Sequence, residues 1–452
     1  HTSNLYRIPT QEALAERLCE LSGMQSAFFS NSGAEANEAA IKIARLFGQR
    51  KGVSRPTVVV MEGSFHGRTM ATLSATANAK VQEGFGPLLD GFVRVPFNDL
   101  DAVSALADNP DVVAVLVEPV QGEGGINIPT SDYLPGLRTL CDEQDWLLML
   151  DEIQSGNGRT GDYFACLGDK VTPDVLTTAK GLGNGFPIGA CLVAGKADGV
   201  FGPGNHGSTY GGNPLACAVG EAVIDTINTP EVLDGVKAKH LRFKTKLEQI
   251  GQQYGVFSEV RGLGLLIGAV LSDAWKGKAK AILDAAAVEG VMVLQASPDV
   301  VRFAPSLVVE DADIDEGLAR QDREENRADQ VADHQHEALQ RFRHHQKEHV
   351  HLDVLVFPLH HRQRQENHQH HVIDRDHFEI AVNRPAEEIV GHHIDRGLHH
   401  HQHEPDAGDQ GQYAGDTEKE PVDHANLTSL RPLPPGRVLA GRISVSGFQF
   451  MP

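Results

Sequence analysis

The sequence predicts an α/β protein in which a mostly parallel sheet is covered by helices on both faces, followed by a smaller α+β domain. Strand-like and helix-like segments alternate from Thr57 to Ala194, which is typical of parallel βαβ units. The strand cores Thr57 to Met61, Val112 to Val117 and Leu147 to Leu150 show little polar alternation, as expected for strands buried on both faces. Most polar motifs follow the ends of these strands, where open α/β sheets bind ligands.

The first motif follows a short strand at Phe28 to Ser30. Apolar residues then recur at helical spacing, and Ser32 with Glu35 has the form of a capping box at the helix start. Gly33 and Ala34 fall in the first turn, where small side chains let a phosphate approach free backbone N–H groups. A plain capped amphipathic helix explains the same pattern when this motif is taken alone.

The strand Thr57 to Met61 leads into a loop, residues 62–69, that contains Phe65, His66 and Arg68. An aromatic ring can stack on a flat heterocycle, and a guanidinium binds a carboxylate through two hydrogen bonds. For His66 we favour a hydrogen-bonded loop histidine over a role in proton transfer.

Two further loops carry polar groups suited to anionic ligands. The strand Val112 to Val117 runs into the glycine-rich turn 118–125, which presents two acids. The loop Asn205 to Pro214 contains two adjacent hydroxyl side chains, Ser208 and Thr209, which suit a phosphate or a carboxylate.

An acid and an amine follow two neighbouring buried strands. The run Trp146 to Leu150 ends at Asp151, and the run Val175 to Ala179 leads directly into Lys180. A pyridoxal phosphate enzyme needs this pair, because the amine forms a Schiff base with the cofactor and the carboxylate keeps its ring nitrogen protonated. Each residue is ordinary when taken alone, so the prediction of a cofactor site depends on the surrounding motifs as well.

The chain divides by pattern into three parts. A helix from Asn213 to Asn228 links the large domain to a smaller one at Pro230 to Arg320, for which we expect two early strands and a later helix. The expected elements are strands near Ser258 to Arg261 and Leu265 to Val270 and a helix near Lys278 to Glu289. The predicted limits are 1–228 for the large domain, 229–320 for a small domain that lacks its last helix, and 321–452 for a tail.

The tail, residues 321–452, has a different composition from the rest of the chain. It holds 19 of the 23 histidines and no cysteine or tryptophan, and its histidine runs have no fixed period. One interpretation is a metal-binding extension, and the other is disordered or out-of-frame sequence, which we favour because apolar periodicity also fails there. Neither makes the tail catalytic. We interpret the start of the chain as a truncation.

Composition excludes several classes of protein. A net charge of -21 argues against a nucleic-acid partner. The five cysteines are single, without metal-ligand spacing, so we expect reduced thiols in a cytoplasmic enzyme and no metal site in the first 320 residues. No apolar run approaches the ~20 residues that span a bilayer, so no membrane partner is expected.

From His1 to about Arg320 the chain resembles the class III, fold type I pyridoxal phosphate aminotransferases, most of all the acetylornithine aminotransferases. Several separated motifs carry the resemblance in family order. They are Asn31 to Ala44 (NSGAEANEAAIKIA), Ser64 to Ala75 (SFHGRTMATLSA), Glu118 to Gly125 (EPVQGEGG), Leu150 to Gly161 (LDEIQSGNGRTG), Thr178 to Gly189 (TAKGLGNGFPIG), His206 to Cys217 (HGSTYGGNPLAC) and Arg261 to Gly268 (RGLGLLIG).

The resemblance implies a set of residues around the ring of pyridoxal 5'-phosphate. Lys180 would hold the cofactor and then shuttle a proton, and Asp151 would pair with the ring nitrogen. Ile153 would pack under the ring, Phe65 would stack on its other face, and Gln154 would reach the phenolic oxygen.

At the phosphate, the resemblance implies a cradle made by Ser32, Gly33 and Ala34. Thr209 would be donated from a neighbouring subunit, so the protein would be a homodimer with shared active sites.

The resemblance also implies substrates, which are small amino and keto acids. Arg68 and Ser208 would contact the acylated end, and Arg302 would take the α-carboxylate. Glu123 would act as a gate that pairs with Arg302 when the donor is bound and releases it for the second carboxylate of 2-oxoglutarate. The expected donor is N2-acetyl-L-ornithine. Succinylornithine, ornithine or 4-aminobutyrate as donor, or a catalytically silent truncated fragment, remain alternatives.

Overall fold

The residues that the structure describes are organised around two separate sheets. The computed structural model describes residues 6–320 and Ser444–Val445, so the predicted tail otherwise lies outside the described residues. The strands are β1 (Ser26–Ser30), β2 (Thr57–Met61), β3 (Phe92–Val95), β4 (Val112–Val117), β5 (Leu147–Asp151), β6 (Val175–Thr178), β7 (Gly189–Val193), β8 (Phe257–Leu263), β9 (Leu266–Leu271), β10 (Leu294–Ser297), β11 (Val300–Phe303) and β12 (Ser444–Val445).

The helices cover both sheets and connect them. They are α1 (Pro9–Ser22), α2 (Gly33–Arg50), α3 (Met70–Ala75), α4 (Ala79–Gln82), α5 (Leu100–Ser104), α6 (Tyr133–Glu143), α7 (Ala165–Gly168), α8 (Pro214–Ile227), α9 (Pro230–Tyr254) and α10 (Ala279–Val288). Residues 311–320 are also helical.

The large sheet has the order β12-β1-β7-β6-β5-β4-β2-β3. Strands β3, β2, β4, β5 and β6 are parallel to one another, as the alternating pattern predicts. Alternate residues of β2 pack on opposite sides: Val59 and Met61 lie in one apolar cluster and Val58 and Val60 in another. The prediction of a mostly parallel sheet covered on both faces is therefore confirmed.

One strand departs from the parallel pattern predicted up to Ala194. β7 is antiparallel to both of its neighbours, β6 and β1. Residues 179–188, which join β6 to β7, contain a single 3-10 turn, Lys180–Leu182, and no crossover helix. A parallel return needs a longer connection, so the chain turns back beside β6.

The small sheet is antiparallel, in the order β10-β11-β9-β8. Its apolar core includes Phe243 of α9, Ile282 of α10, and Ile314 and Leu318 of the helical residues 311–320. The prediction that this domain lacks its last helix is not tested by these contacts. The domain limits at 228 and 320 stay predictions.

Two arginines connect the large domain to the small sheet. Arg159 Nη1 donates to Leu265 O (3.2 Å) and Pro305 O (2.6 Å), while Leu265 N donates to Arg159 O (2.9 Å). Burial lowers the pKa of Arg159 to about 10. Arg261 of β8 donates from Nη2 to the backbone oxygen of Gly125 (2.8 Å), the last residue of the glycine-rich turn 118–125.

All five cysteines are free and buried. Burial raises the pKa of Cys19 to about 11 and that of Cys141, Cys191 and Cys217 to about 12. Among the described residues, no helix combines the length and the apolar character needed to cross a membrane.

Candidate active site

Four neighbouring parallel strands place the predicted site residues at one edge of the large sheet. Asp151 is the last residue of β5, and Lys180 follows β6 after a single residue. Residues 62–69 follow β2, and the turn 118–125 follows β4. Because the carboxyl ends of parallel strands share one edge, these four segments form a common cleft wall.

The Asp151 carboxylate is held by three donors. Its Oδ2 accepts from Asn37 Nδ2 (2.8 Å) and lies 2.8 Å from His66 Nδ1, and its Oδ1 accepts from Ile153 N (3.1 Å). The residue is only 4% exposed. Charge-assisted hydrogen bonds of this length give the carboxylate a fixed orientation.

Asn37 is a site residue that the sequence analysis missed. It lies fully buried on α2, and its Nδ2 also donates to His66 O (2.8 Å) while its Oδ1 accepts from Thr177 Oγ1 (2.7 Å). A polar residue on the apolar face of a predicted helix was the available signal. His66 is a buried, hydrogen-bonded loop residue, and its contact with Asp151 was not foreseen.

The Lys180 backbone lies in the left-handed region, with φ of 44°. A non-glycine residue in this region is strained, and such strain is common at functional sites. Its side chain is accessible from the cleft, yet the cleft walls desolvate the ammonium and lower its pKa, against the opposing charges of Asp151 and Glu123. A lowered pKa favours the neutral, nucleophilic amine.

Glu118 joins two of the loops beneath the site. Its Oε2 accepts from Phe65 N (2.9 Å) and its Oε1 from Gly122 N (3.3 Å). Desolvation raises the pKa of this buried carboxyl group to about 7; the neighbouring His66 opposes the shift. Phe65 itself is half-buried.

Arg302 and Glu123 form an ion pair across the cleft, from β11 to the turn 118–125. Arg302 Nη1 donates to Glu123 Oε1 (2.6 Å) and to Gly122 O (3.1 Å), and Gln154 Nε2 donates to the same Glu123 oxygen (3.1 Å). Burial works to raise the pKa of Glu123, but Arg302 outweighs it and the pKa is lowered. Two buried atoms beside this pair, Gln154 Oε1 and Arg302 Nε, have no hydrogen-bond partner in the described residues.

The start of α2 forms half of the predicted capping box. Ser32 Oγ accepts from Glu35 N (3.3 Å), but the Glu35 carboxylate accepts from Asn31 N (2.7 Å) instead of from the backbone of Ser32. The N–H groups of Gly33 and Ala34 remain in the first turn, where helices have no internal acceptors. A Cβ at Gly33 would lie 2.8 Å from Ile153 Cδ1, so Ile153 packs directly on this turn.

The remaining predicted site residues, Ser208, Arg68 and Thr209, make no hydrogen bond to Asp151, Glu118 or Glu123 among the described residues. Ser208 Oγ accepts from Asn31 Nδ2 (3.2 Å) and Gly211 N (3.1 Å), whereas Arg68 and Thr209 are exposed. An open cavity of about 570 Å³ lies beside the start of α2. It is lined by Asn31, Phe186, Pro187, Tyr210, Asn213, Pro214 and Leu215.

No group of histidine, cysteine or acidic side chains in the part of the chain that the structure describes is arranged to hold a metal ion. The site's charged groups are the lysine, the acids and the arginine described above.

The family model for class-III aminotransferases matches residues 1–323. The chain belongs to this family. Among its curated relatives, acetylornithine aminotransferase 1 of Pseudomonas syringae pv. tomato is 56% identical over 324 residues, which cover 72% of this chain and 80% of the relative. A Pseudomonas aeruginosa relative called succinylornithine transaminase/acetylornithine aminotransferase is 54% identical over the same length, with the same two coverages.

Solved structures of the family agree with this assignment. The N-acetylornithine aminotransferase of Stenotrophomonas maltophilia superposes with a TM-score of 0.64 at 40% identity, covering 74% of this chain and 83% of that protein. The ornithine aminotransferase of Toxoplasma gondii superposes with a TM-score of 0.69 at 30% identity, covering 73% and 79%. The predicted fold type I architecture is thereby confirmed.

Proposed function

We propose that this class-III aminotransferase moves the amino group of N2-acetyl-L-ornithine to 2-oxoglutarate, giving N-acetylglutamate 5-semialdehyde and glutamate, as a step of arginine biosynthesis. The observation that carries the proposal is the ion pair between Arg302 and Glu123. The names of the Pseudomonas relatives support the choice of donor.

The two substrates differ at the carbon that reacts. In N-acetylornithine this carbon bears no carboxylate, whereas in 2-oxoglutarate a carboxylate is attached to it. With the pair closed, Glu123 neutralises Arg302 and the cleft suits the donor. With the pair open, Arg302 is free to bind the α-carboxylate of the acceptor through its planar fork of donors. Glu123, 36% exposed, has room to move, while Arg302 is 11% exposed and stays in the wall.

The residues present fit pyridoxal 5'-phosphate, because an amine with a lowered pKa, a buried carboxylate and the start of α2 lie close together: Ile153, two residues after Asp151, packs on Gly33. The cofactor, when bound, supplies the electron sink for amino transfer. Lys180 would bind it covalently and move the substrate proton, and Asp151 would hold the proton of the ring nitrogen. Gln154 would reach the phenolic oxygen of the ring, and Phe65 and Ile153 would pack against its two faces.

The phosphate would lie at the start of α2, against the N–H groups of Gly33 and Ala34 and beside Ser32. In a homodimer with shared sites, Thr209 would reach the phosphate of the second copy. Its exposure supports this arrangement, as does that of the neighbouring Tyr210 (60% exposed) and Leu215 (62% exposed).

The donor's distal end would be held by Arg68 and Ser208. Arg68 is exposed and carries a charge suited to the donor carboxylate, and Ser208 supplies a hydroxyl near Asn31. The buried free thiols support a cytoplasmic location.

Donor profiling tests the proposal. Purified protein is assayed with 2-oxoglutarate and, in turn, N-acetylornithine, succinylornithine, ornithine and 4-aminobutyrate. We expect the highest kcat/KM with N-acetylornithine, followed by succinylornithine, because the P. aeruginosa relative bears both names. A preference for free ornithine or 4-aminobutyrate would overturn the donor assignment. Absence of a borohydride-reducible lysine adduct would favour the catalytically silent alternative.

A further inference from the structure

Asn157 lies beneath the Lys180 turn, in the segment that joins β5 to α7. It is 2% exposed, and it was not among the predicted cofactor or substrate residues. Its own φ of 55° is left-handed. A buried amide must find hydrogen-bond partners, so the residues that it contacts indicate its purpose.

The Asn157 amide uses both of its hydrogens on the residues that lead into Lys180. Its Nδ2 donates to Thr178 Oγ1 (2.9 Å) and to Ala179 O (3.1 Å). On the other side, its Oδ1 accepts from Tyr163 OH (3.3 Å). Tyr163, itself buried, therefore orients the amide, and the amide holds the end of β6.

The carbonyl of Ala179 belongs to the same rigid peptide plane as the nitrogen of Lys180. This carbonyl accepts a second hydrogen bond, from Leu182 N (2.9 Å). Two donors from different directions thus fix the plane. Because the Lys180 backbone is left-handed, it persists only where its surroundings hold it there.

The chemistry of position 157 is restricted. Asparagine tolerates the left-handed region, and it alone among residues of this shape offers two side-chain hydrogens there. A Cβ at Gly181 would lie 2.8 Å from the Cβ of Asn157, so the two backbones approach closely. Aspartate would keep the shape but could not donate to Ala179 O.

We propose that Asn157 is a positioning residue for Lys180, holding the peptide between residues 179 and 180 so that the lysine amine meets its reaction partners from a fixed direction. The inference rests on the proposed role of Lys180 as the lysine that binds the cofactor. Tyr163 acts one step further away, by orienting the Asn157 amide.

Steady-state kinetics of four variants give the first test. Asn157→Gly keeps the backbone freedom and removes the side chain, Asn157→Asp removes the donors, and Tyr163→Phe removes one hydrogen bond. Asn184→Gly is the matched control, since Asn184 is also left-handed, follows Lys180 in the same connection and is exposed. We expect both Asn157 variants to lose about 10- to 100-fold in kcat with little change in KM. Tyr163→Phe should lose about 3-fold and the control nothing.

The rate of cofactor capture is a second readout that does not depend on turnover. Cofactor-free protein is mixed with pyridoxal phosphate, and the Lys180 adduct is trapped with borohydride and quantified by peptide mass spectrometry. Both Asn157 variants should form the adduct about tenfold more slowly than the wild type and Asn184→Gly. If the wild type forms no adduct, the proposed function fails. If the wild type forms it and the Asn157 variants match its rate, only the present inference fails.

A double-mutant comparison separates positioning from general damage to the fold. In Lys180→Ala, added methylamine replaces the lysine amine without any link to the backbone at 179–180. Adding Asn157→Gly to this variant should change the methylamine-dependent rate by less than about twofold. An equal loss in the presence and absence of Lys180 would overturn the proposal. If neither Asn157 variant folds, a Tyr163→Phe protein with wild-type kcat and capture rate would also overturn it.

Discussion

Lys180 follows β6 after one residue, and its amine faces the cleft beside Asp151. Replacing Lys180 with Ala should abolish turnover and the borohydride-reducible adduct, because it removes the amine proposed to form the Schiff base. Lys170→Ala is a matched control, since Lys170 is also left-handed but is exposed away from the cleft. Turnover of Lys180→Ala near the wild-type rate would refute the assignment.

Asp151 should make a large contribution to the reaction rate through its fixed negative charge. Asp151→Ala is expected to cost about 3 kcal/mol of transition-state stabilisation, measured as the ratio of kcat/KM values. Asp174→Ala is the control, because Asp174 is as buried and accepts from Arg138 and Leu148 but lies at the opposite end of the strands. It should lower thermal stability and leave kcat nearly unchanged. The reverse pattern would make Asp151 structural.

Glu118 should make the stability of the protein depend on pH. Its pKa is raised from 4.5 to about 7 in the folded state, so its stabilising contribution is complete below 4.5 and is lost as the pH rises to about 7. The loss amounts to about 3 kcal/mol at 1.36 kcal/mol per pKa unit. Urea unfolding at about pH 5 and about pH 8 should show a smaller difference for Glu118→Gln than for the wild type. The exposed Glu83→Gln should behave as wild type.

The site residues at strand ends could be predicted from the sequence. The residues that hydrogen-bond to these strand ends could not. Lys180 and Asp151 each follow an apolar run, so local pattern places them at the ligand edge. Asn37 and Asn157 act through contacts with residues 114 and 22 positions away in sequence, and only the fold brings these partners together. The polar residue on the buried face of α2 was the sole local sign.

At the scale of elements, we propose that the ion pair between Arg302 of β11 and Glu123 of the turn 118–125 controls access to Arg302. Glu123→Gln removes the charge that neutralises Arg302, so kcat/KM for 2-oxoglutarate should rise relative to that for N-acetylornithine, by about tenfold for a change near 1.4 kcal/mol. The kcat/KM for N-acetylornithine describes the half-reaction with the donor, and the kcat/KM for 2-oxoglutarate describes the half-reaction with the acceptor. Glu62→Gln, at an exposed acid that directly follows β2, is the control. An unchanged ratio in Glu123→Gln would remove the gate from the mechanism.

The strand direction could be predicted for the parallel strands but not for β7. The apolar run of β7 resembles that of a parallel strand, and its direction depends on the connection that precedes it. Because residues 179–188 form only a short turn, the chain reverses. The hydrogen bonds from Arg159 to Leu265 and Pro305 could not be predicted from the sequence either, because their acceptors are backbone carbonyls, which every residue has.

At the scale of the whole molecule, the proposed shared site can be tested at Thr209. Thr209→Ala should weaken cofactor retention about tenfold, measured by dialysis, and leave the mass in analytical ultracentrifugation at that of a dimer. Thr172→Ala, at an exposed loop threonine preceding β6, is the control. A monomeric protein that retains cofactor fully would contradict the shared site.

The five buried thiols can be used to measure local unfolding of the large domain. Cys19, Cys141, Cys166, Cys191 and Cys217 lie on α1, α6, α7, β7 and α8, and residues 229–320 contain none. Since a thiol reagent attacks the exposed thiolate, its reaction with the native protein waits for large-domain segments to unfold. Rates of thiol modification, resolved by peptide, therefore give an opening free energy for each of these five segments. Unfolding confined to the small domain would not be detected in this way, because residues 229–320 contain no cysteine.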